Sequence, residues 1–339
     1  MTIFRPPLKV RDACFRTPRD GALIVGIDRT HILILNYNGR ALLEACLPSV
    51  VDAASHSPVP CGVSVVDNDS TDDSLAYLAE YWPDVTVIRE PNRGLASFNT
   101  VLKRMSESAV LLLNNDVILD RDAIGPLLNT LNEHDDALFS APQCWTFDGQ
   151  EYEGMRTRVR SRFGLVQGMS RVPGHEAIVN DSDLTAAAGP VLLVHRNRFL
   201  ALGGYDPMYF PGRIEDLDLG FRGWMEGWRG YYVPTSKALH QGFGSFSPAF
   251  GQEGCDRLAA RNTLLFCWKN LSGKRLLAHL AWLPVRLIHA LATGRKTFPR
   301  ALMEAIPRID AVWTGRRSRL LRTSLWTLRQ EAFFERFRW

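Results

Sequence analysis

Val110–Asp116, Val-Leu-Leu-Leu-Asn-Asn-Asp, is the stretch that decides how this chain is read. Four consecutive apolar residues suit a strand buried on both faces, although so short a run also fits a buried helical turn. Three polar side chains then end it abruptly. In open α/β sheets, ligands sit at the carboxyl ends of the strands, so Asn114 and Asp116 stand where a phosphate and an oxygen-seeking cation would be held. Asn-Asn-Asp is also turn chemistry, and taken alone the stretch favours a plain turn.

Working outward, the same pattern recurs. Strands are expected at His31–Asn36, Cys61–Val66 and Val85–Arg89, with helical patterns from Arg40 to Ala54, through Tyr81, from the Pro91-Asn92-Arg93-Gly94 turn to Met105, and at Ala123–Glu133. Ser70 with Asp73 resembles a capping box for the second helix. This alternation implies βαβ units and an α/β fold with a mainly parallel central sheet. Asn36 and Asn38, Asp67 and Asp69, Asn92 and Arg93, and Asn114 with Asn115 and Asp116 each follow a different strand. Four polar strand ends in a parallel sheet share one edge, which raises the binding-site reading above the turn.

Farther along, a strand is expected near Ala137–Pro142. In Met155–Phe163, Arg156, Arg158, Arg160 and Arg162 fall on one face if the chain is extended, either as a charged edge strand or as an anion-binding face for the acceptor. Thr185–His195 reads as a strand and Arg196–Leu202 as a helix. Glu215 and Asp216 open a helix reaching Glu226, where acidic residues also favour the macrodipole. Gly230–Val233 and Ala238–Gln241 are short strands, the second carrying His240.

The six cysteines are scattered, which favours reduced thiols in a cytoplasmic setting over a disulfide frame or zinc site. The net charge of +4 conceals an asymmetry: residues 272–339 hold 14 Lys+Arg against 4 Asp+Glu, leaving 26 against 32 in residues 1–271. Three regions follow: an extension at 1–30, a main domain at 31–271, and a basic helical appendage at 272–339. In the appendage Leu276, Leu280, Leu283, Leu287 and Leu291, and later Leu321, Leu325, Leu328 and Ala332, recur at helical spacing among arginines, with Trp282, Trp313, Trp326 and Trp339. Basic amphipathic helices with Trp suit an anionic membrane surface rather than nucleic acid, with packing on the main domain as the alternative. His279, Pro284, Arg286 and His289 interrupt Leu276–Ala292, so it would lie on a bilayer rather than cross one. The N-terminus lacks a signal-peptide pattern, and Gly21–Ile27 reads as an extra strand.

Taken together, Asn36-Tyr37-Asn38-Gly39, Asp67-Asn68-Asp69-Ser70-Thr71, Pro91-Asn92-Arg93-Gly94, Asn114-Asn115-Asp116, Gly203-Gly204-Tyr205-Asp206 with Glu215-Asp216-Leu217-Asp218, and His240 resemble the ordered motifs of family 2 glycosyltransferases. The likeness is strongest to rhamnosyltransferase-like enzymes of bacterial surface polysaccharides and covers roughly residues 32–271. It implies the GT-A nucleotide-sugar-binding fold and an inverting, metal-dependent enzyme. Such an enzyme moves a sugar, rhamnose in that subgroup, from a nucleoside diphosphate sugar to a hydroxyl of a glycan or lipid-linked acceptor. It implies that Asp67 meets the base beside Asn36, and that Asp116 and His240 complete the Mg²⁺ or Mn²⁺ and diphosphate site. Asp216, paired with Glu215, would be the general base. Such an enzyme would work at the inner face of the plasma membrane. Asn114 departs from the fuller acidic motif, and Leu95-Ala96-Ser97-Phe98-Asn99 replaces a Gly- and Asn-rich helix start. A rival reading makes Asp67-Asn68-Asp69-Ser70-Thr71 the nucleophile loop of a haloacid-dehalogenase-like phosphohydrolase, with Asp67 as nucleophile.

Overall fold

The computed structural model describes residues 26–242, 246–317 and 323–339. Most of the expected 1–30 extension, residues 21–25 of the strand expected at Gly21–Ile27 and the contribution of Leu321 to the tail pattern lie outside them, and Gly26 and Ile27 belong to no strand.

The first half alternates as its hydrophobic runs dictate: β1 (Thr30–Asn36), α1 (Arg40–Ser55), β2 (Cys61–Asp67), α2 (Ser74–Tyr81), β3 (Thr86–Arg89), α3 (Ser97–Arg104), β4 (Ala109–Asn114), β5 (Val117–Leu119) and α4 (Ile124–Glu133). Then come β6 (Ala137–Thr146), β7 (Tyr152–Gly154), β8 (Arg158–Arg162), β9 (Leu165–Met169), β10 (Asp183–Thr185), β11 (Val191–His195), α5 (Arg196–Ala201), α6 (Glu215–Glu226) and β12 (Arg229–His240). The chain continues through α7 (Phe246–Asn270), bent at Gly251, then α8 (Gly273–Ala292), α9 (Thr297–Ala305), α10 (Ile309–Arg317) and α11 (Thr323–Arg336).

The central sheet runs β10-β12-β6-β11-β4-β1-β2-β3, with β5 added to β12 and β7 to β6. β4, β1, β2 and β3 are parallel, and their register aligns Asn36 with Asp67 and Asp67 with Arg89. β11 runs antiparallel between β4 and β6, so the sheet as a whole is mixed. Because β6 and β12 return to the direction of β4, His240 at the end of β12 reaches the same edge as Asn114.

Two elements differ from expectation. Thr185–His195 divides into β10 and β11, separated by Ala186–Pro190. The two strands expected at Gly230–Val233 and Ala238–Gln241 are one, β12, with a register shift between Val233 and Lys237 that the polar Pro-Thr-Ser segment absorbs.

Two apolar cores hold the chain. One lies along the sheet, centred on Leu33, Leu111, Leu127 and Leu193. The other joins the β8–β9 hairpin and α6 to the tail: Phe221 of α6 meets Phe333 of α11 edge-on at 5.0 Å, and Phe333 meets Phe337 at 4.9 Å. Tail residues therefore pack on the main domain, and that packing fixes α6, whose first residues are Glu215 and Asp216.

Candidate active site at the carboxyl edge of the sheet

Asn36, wholly buried at the end of β1, ties three strand ends together. Its Nδ2 donates to Asp67 Oδ1 and to Ser70 Oγ, each at 3.2 Å, while its Oδ1 accepts from Asn115 Nδ2 at 2.7 Å. The other Asp67 oxygen accepts the Ser70 N–H at 3.0 Å. Asn38 turns in the left-handed region (φ 48°), with its side chain accepting the Thr71 N–H at 2.7 Å. Gly39 follows because no side chain fits: a Cβ there would lie 2.0 Å from Asn115 Nδ2.

Ser70 forms no capping box. Its hydroxyl serves Asn36 and the Asn38 N–H, and Asp72 Oδ1 takes the first N–H of α2 at 3.1 Å instead. The residues that read as helix punctuation therefore brace the strand ends. Beside them a hollow of about 310 Å³ is lined by Asp67, Asp69, Ser70, Leu75, Arg89, Glu90 and Pro91. The turn that closes it is held by Asn68 Nδ2 on the Gly94 carbonyl (3.1 Å) and by Asn92 Oδ1, which accepts the Gly94 N–H (3.1 Å). Arg93 points the other way, into a crevice with Tyr205, Phe210 and Glu215. The Asp67 and Glu215 hollows thus share the 91–96 turn as a wall.

Asn115 and Asp116 do form a turn, between β4 and β5, and the turn places chemistry. Asp116 is buried, its Oδ2 lies 3.4 Å from His240 Nε2, and its Oδ1 has no hydrogen-bond partner among the described residues. Glu153 of β7 holds the opposite ring nitrogen, Nδ1, at 2.5 Å. Burial by itself would depress the imidazole pKa, but hydrogen bonds to two carboxylates outweigh it and raise it to about 9. Among the described residues, no three His, Cys, Asp or Glu side chains gather as a metal cage. An orphaned buried carboxylate oxygen beside an imidazole nevertheless fits Mg²⁺ or Mn²⁺, which take one or two protein ligands and complete their shell from phosphates and water.

Glu215 and Asp216 are each partly buried, and of the two it is Glu215 that lines the crevice. They are delivered by two successive left-handed residues, Arg213 (φ 81°) and Ile214 (φ 74°). Such backbone persists only where its surroundings hold it. Here α7 does so: Asn262 Nδ2 donates to the carbonyls of Tyr209, Gly212 and Arg213 at 2.7–2.9 Å, and Arg261 donates to that of Phe210 at 2.7 Å. Burial, then repulsion from Asp216, pushes the Glu215 carboxyl up, and its Oε2 is unpartnered among the described residues. Burial raises Asp216 as well, opposed by hydrogen bonds such as that from the Leu217 N–H to Oδ1 (2.7 Å).

Residues 31–183 match the sequence pattern of glycosyl transferase family 2. The chain carries a glycosyl transferase family 2 domain. It is 27% identical over 268 residues to the N-acetylglucosaminyl-diphospho-decaprenol L-rhamnosyltransferase of Mycobacterium tuberculosis, covering 71% of this chain and 85% of that relative. A second match, 25% identical over 59% of this chain and 34% of the relative, is a putative polypeptide N-acetylgalactosaminyltransferase 10 of Drosophila melanogaster. Its fold resembles that of S. aureus TarS 1-349 solved with UDP-GlcNAc, with a TM-score of 0.52 and 14% identity over 91% of this chain and 92% of that one. It also resembles GalNAc-T7 solved with UDP, GalNAc and Mn²⁺, at 0.50 and 18% over 68% and 48%. The GT-A fold expected from the motifs is the fold found. The phosphohydrolase alternative falls with this: besides the family match, both Asp67 oxygens are engaged in hydrogen bonds, and the side chain is almost wholly buried.

The glycosyltransferase divides the four arginines of 156–162 between two tasks. Arg156, buried, and Arg158, partly buried, pair with Asp183 at 2.7 and 2.9 Å, where Arg336 also reaches it. Arg160 stacks on Trp339 at 3.8 Å, and with Arg162, Lys274, Arg275 and Arg338 it lines a separate hollow of about 590 Å³. Arg156 falls outside the strand because β8 begins only at Arg158, after the left-handed Met155, and within β8 Arg158 is drawn to Asp183 while Arg160 turns to Trp339.

Sequence reasoning missed Glu153, Arg261 and Asn262, none of which stands in a motif or at a strand end next to one. It also assigned Asp218 no work of its own. That wholly buried carboxylate accepts from Arg222 Nε (2.6 Å), Lys269 Nζ (2.9 Å), Asn270 Nδ2 (2.7 Å) and Tyr209 Oη (3.0 Å). The i, i+4 spacing of Asp218 and Arg222 was the available signal.

Proposed function

We propose that this glycosyltransferase is metal-dependent and inverting, and that it moves rhamnose from a nucleoside diphosphate sugar to a hydroxyl of a lipid-linked glycan acceptor. We place that work at the inner face of the plasma membrane, in the building of cell-surface polysaccharide. The observation that carries the reading is Asp116, a buried carboxylate with one free oxygen, on the strand edge that also bears Asp67. The relative whose name joins rhamnosyl transfer to a diphospho-decaprenol supports the choice of sugar and acceptor.

In this reading the base of the donor occupies the hollow beside Asp67 and Asp69, with Asn36, Asn38 and Asn115 keeping that edge rigid. Asn92 shapes the turn over the diphosphate, Arg93 faces the reacting sugar, and Asn114 sets the end of β4. Asp116 would hold Mg²⁺ or Mn²⁺, with His240 joining it once the cation replaces the proton on Nε2, and the bound cation would neutralise charge accumulating on the departing diphosphate. Glu153 orients the His240 ring. Of the acidic pair, Glu215, whose Oε2 is unpartnered among the described residues, keeps the shared proton; Asp216, steadied by the Leu217 N–H, stays ionised and takes the proton of the acceptor hydroxyl as it attacks. A single displacement inverts the anomeric centre. Arg160 and Arg162, rather than Arg156 and Arg158, remain available to an anionic acceptor.

Thermal shift against a panel of nucleoside diphosphate sugars, with and without Mn²⁺, is the direct test. Stabilisation by one donor that needs the metal in wild type, and that is lost in Asp116→Asn, is expected. Stabilisation that ignores both the metal and Asp116 would overturn the metal assignment.

A further inference from the structure

The periodic leucines of the tail do not define one exposed stripe. Leu276 and Leu283 pack against the second core, and Leu287 is half-buried with them. His279 is buried with its Nδ1 donating to the Gly164 carbonyl at 2.7 Å. The face of α8 turned away from the protein is nonetheless apolar: Leu277 (69% exposed), Leu280, Ala281, Val285 (50%), Ile288 (67%) and Leu291 (65%). These positions recur every three or four residues, so they share one side of the helix. Beside them lie Phe163 and Trp282, both partly exposed, with rings 5.0 Å apart. Arg286, which would otherwise interrupt the surface, is turned down and donates to the carbonyls of Phe163 and Arg162 at 2.8 and 3.0 Å.

The charge around this face has one sign. Lys274 stands at its beginning and Arg295 and Lys296 just past its end, all exposed, and no Asp or Glu occurs anywhere from Arg257 to Met303. We propose that the outward face of α8, with Phe163 and Trp282, is the surface by which this chain lies in the headgroup region of an anionic bilayer. The inference rests on the reading that the enzyme works at a membrane, and names the face that does it. A continuous apolar face would gain by leaving water, aromatic rings suit the interface, and cations at both ends would meet lipid phosphates. A second copy of the chain fits the face less well. In a two-fold contact, whether the helices run parallel or antiparallel, the basic ends meet basic ends without a carboxylate between them. Among the described residues no helix is long and apolar enough to cross a membrane, so α8 lies along the surface.

The test is co-sedimentation of the full chain with vesicles of phosphatidylglycerol and, separately, of phosphatidylcholine, together with the triple variant Leu277→Ser, Val285→Ser, Ile288→Ser. All three side chains are exposed and none belongs to the active site, so the variant is expected to keep the wild-type circular dichroism and donor binding. Wild type should pellet with the anionic vesicles and at least tenfold less with the neutral ones. The triple variant should lose at least tenfold on the anionic vesicles. Pelleting of the triple variant equal to wild type would overturn the assignment of this face while leaving membrane attachment standing. Wild type that stays in solution with both vesicles would overturn the membrane reading and this inference together. Analytical ultracentrifugation of both proteins covers the remaining possibility: a dimer in wild type that becomes a monomer in the variant would assign the face to a second copy and overturn the proposal.

Discussion

The two ends of the candidate cleft are built in opposite ways. The Asp67 side is made from consecutive strand ends of β1, β2 and β4, each a few residues from an apolar run, and its hydrogen bonds join residues about 30 to 80 apart in the chain. The Glu215–Asp216 side is made by a strained turn pinned from α7, about 50 residues later, and by a helix held through a tail about 110 residues beyond it. The first is a consequence of parallel sheet geometry; the second exists only once the tail has packed. The difference teaches that the two ends can be damaged separately, and under the proposed function mutations should then split donor binding from acceptor chemistry.

Asp216→Asn should give the largest effect. Turnover should fall on the order of 10³-fold, within the range for losing a general base, with donor affinity retained. Rates and donor titrations measured on one preparation would separate the two ends, and retained transfer would remove Asp216 from the base role. Next in size is Asp218→Ala, which takes from Arg222 its carboxylate and leaves Lys269 paired with Asp206 (2.6 Å), and should cost about 3 kcal/mol by urea denaturation. A loss confined to below about 1 kcal/mol would show that α6 is held by its aromatic contacts alone.

The third prediction concerns pH. Burial works to raise the Asp183 carboxyl, but Arg156 and Arg336, with the Leu184 N–H, outweigh it and hold the group at about 2. A depressed carboxyl stabilises the fold above the unfolded value near 4, and that stability is lost as pH falls toward 2. Asp183→Asn should therefore cost about 1–2 kcal/mol at pH 7, a figure discounted for partial exposure, and the gap to wild type should narrow on acidification. A gap independent of pH between 5 and 2 would place the effect elsewhere. Smallest is Ser70→Ala, expected to cost about 1 kcal/mol and to raise the donor KM several-fold through Asn36 and Asn38. A change confined to the helicity of α2 would restore the capping role that its hydrogen bonds deny it.

The unequal legibility of the two halves follows from the same construction. Strands of four to six apolar residues ending in Asn or Asp can be read without knowing their neighbours, which is why the parallel strands and the positions of Asn36, Asp67 and Asp116 were expected where they lie. Glu153 could not be found in that way. It reaches His240 across 87 residues, by way of β7 pairing antiparallel to β6. Arg156 to Arg162 misled for a related reason: alternation assigns faces within a strand, but not where the strand begins or that the partly buried Asp183 draws Arg158 to itself.

By itself the sequence determined the alternating α/β half, the polar row at its carboxyl edge and the basic, amphipathic nature of the tail. Each of these is local, set by the spacing of apolar residues against polar ones. Only the tertiary structure decided that Ser70 braces a strand end instead of a helix, that Asp218 is a clamp, that Glu153 backs His240, and which side of α8 faces outward. Those outcomes depend on contacts between residues far apart in the chain. A helix apolar on two sides carries no mark in its own sequence of which side the rest of the protein will cover.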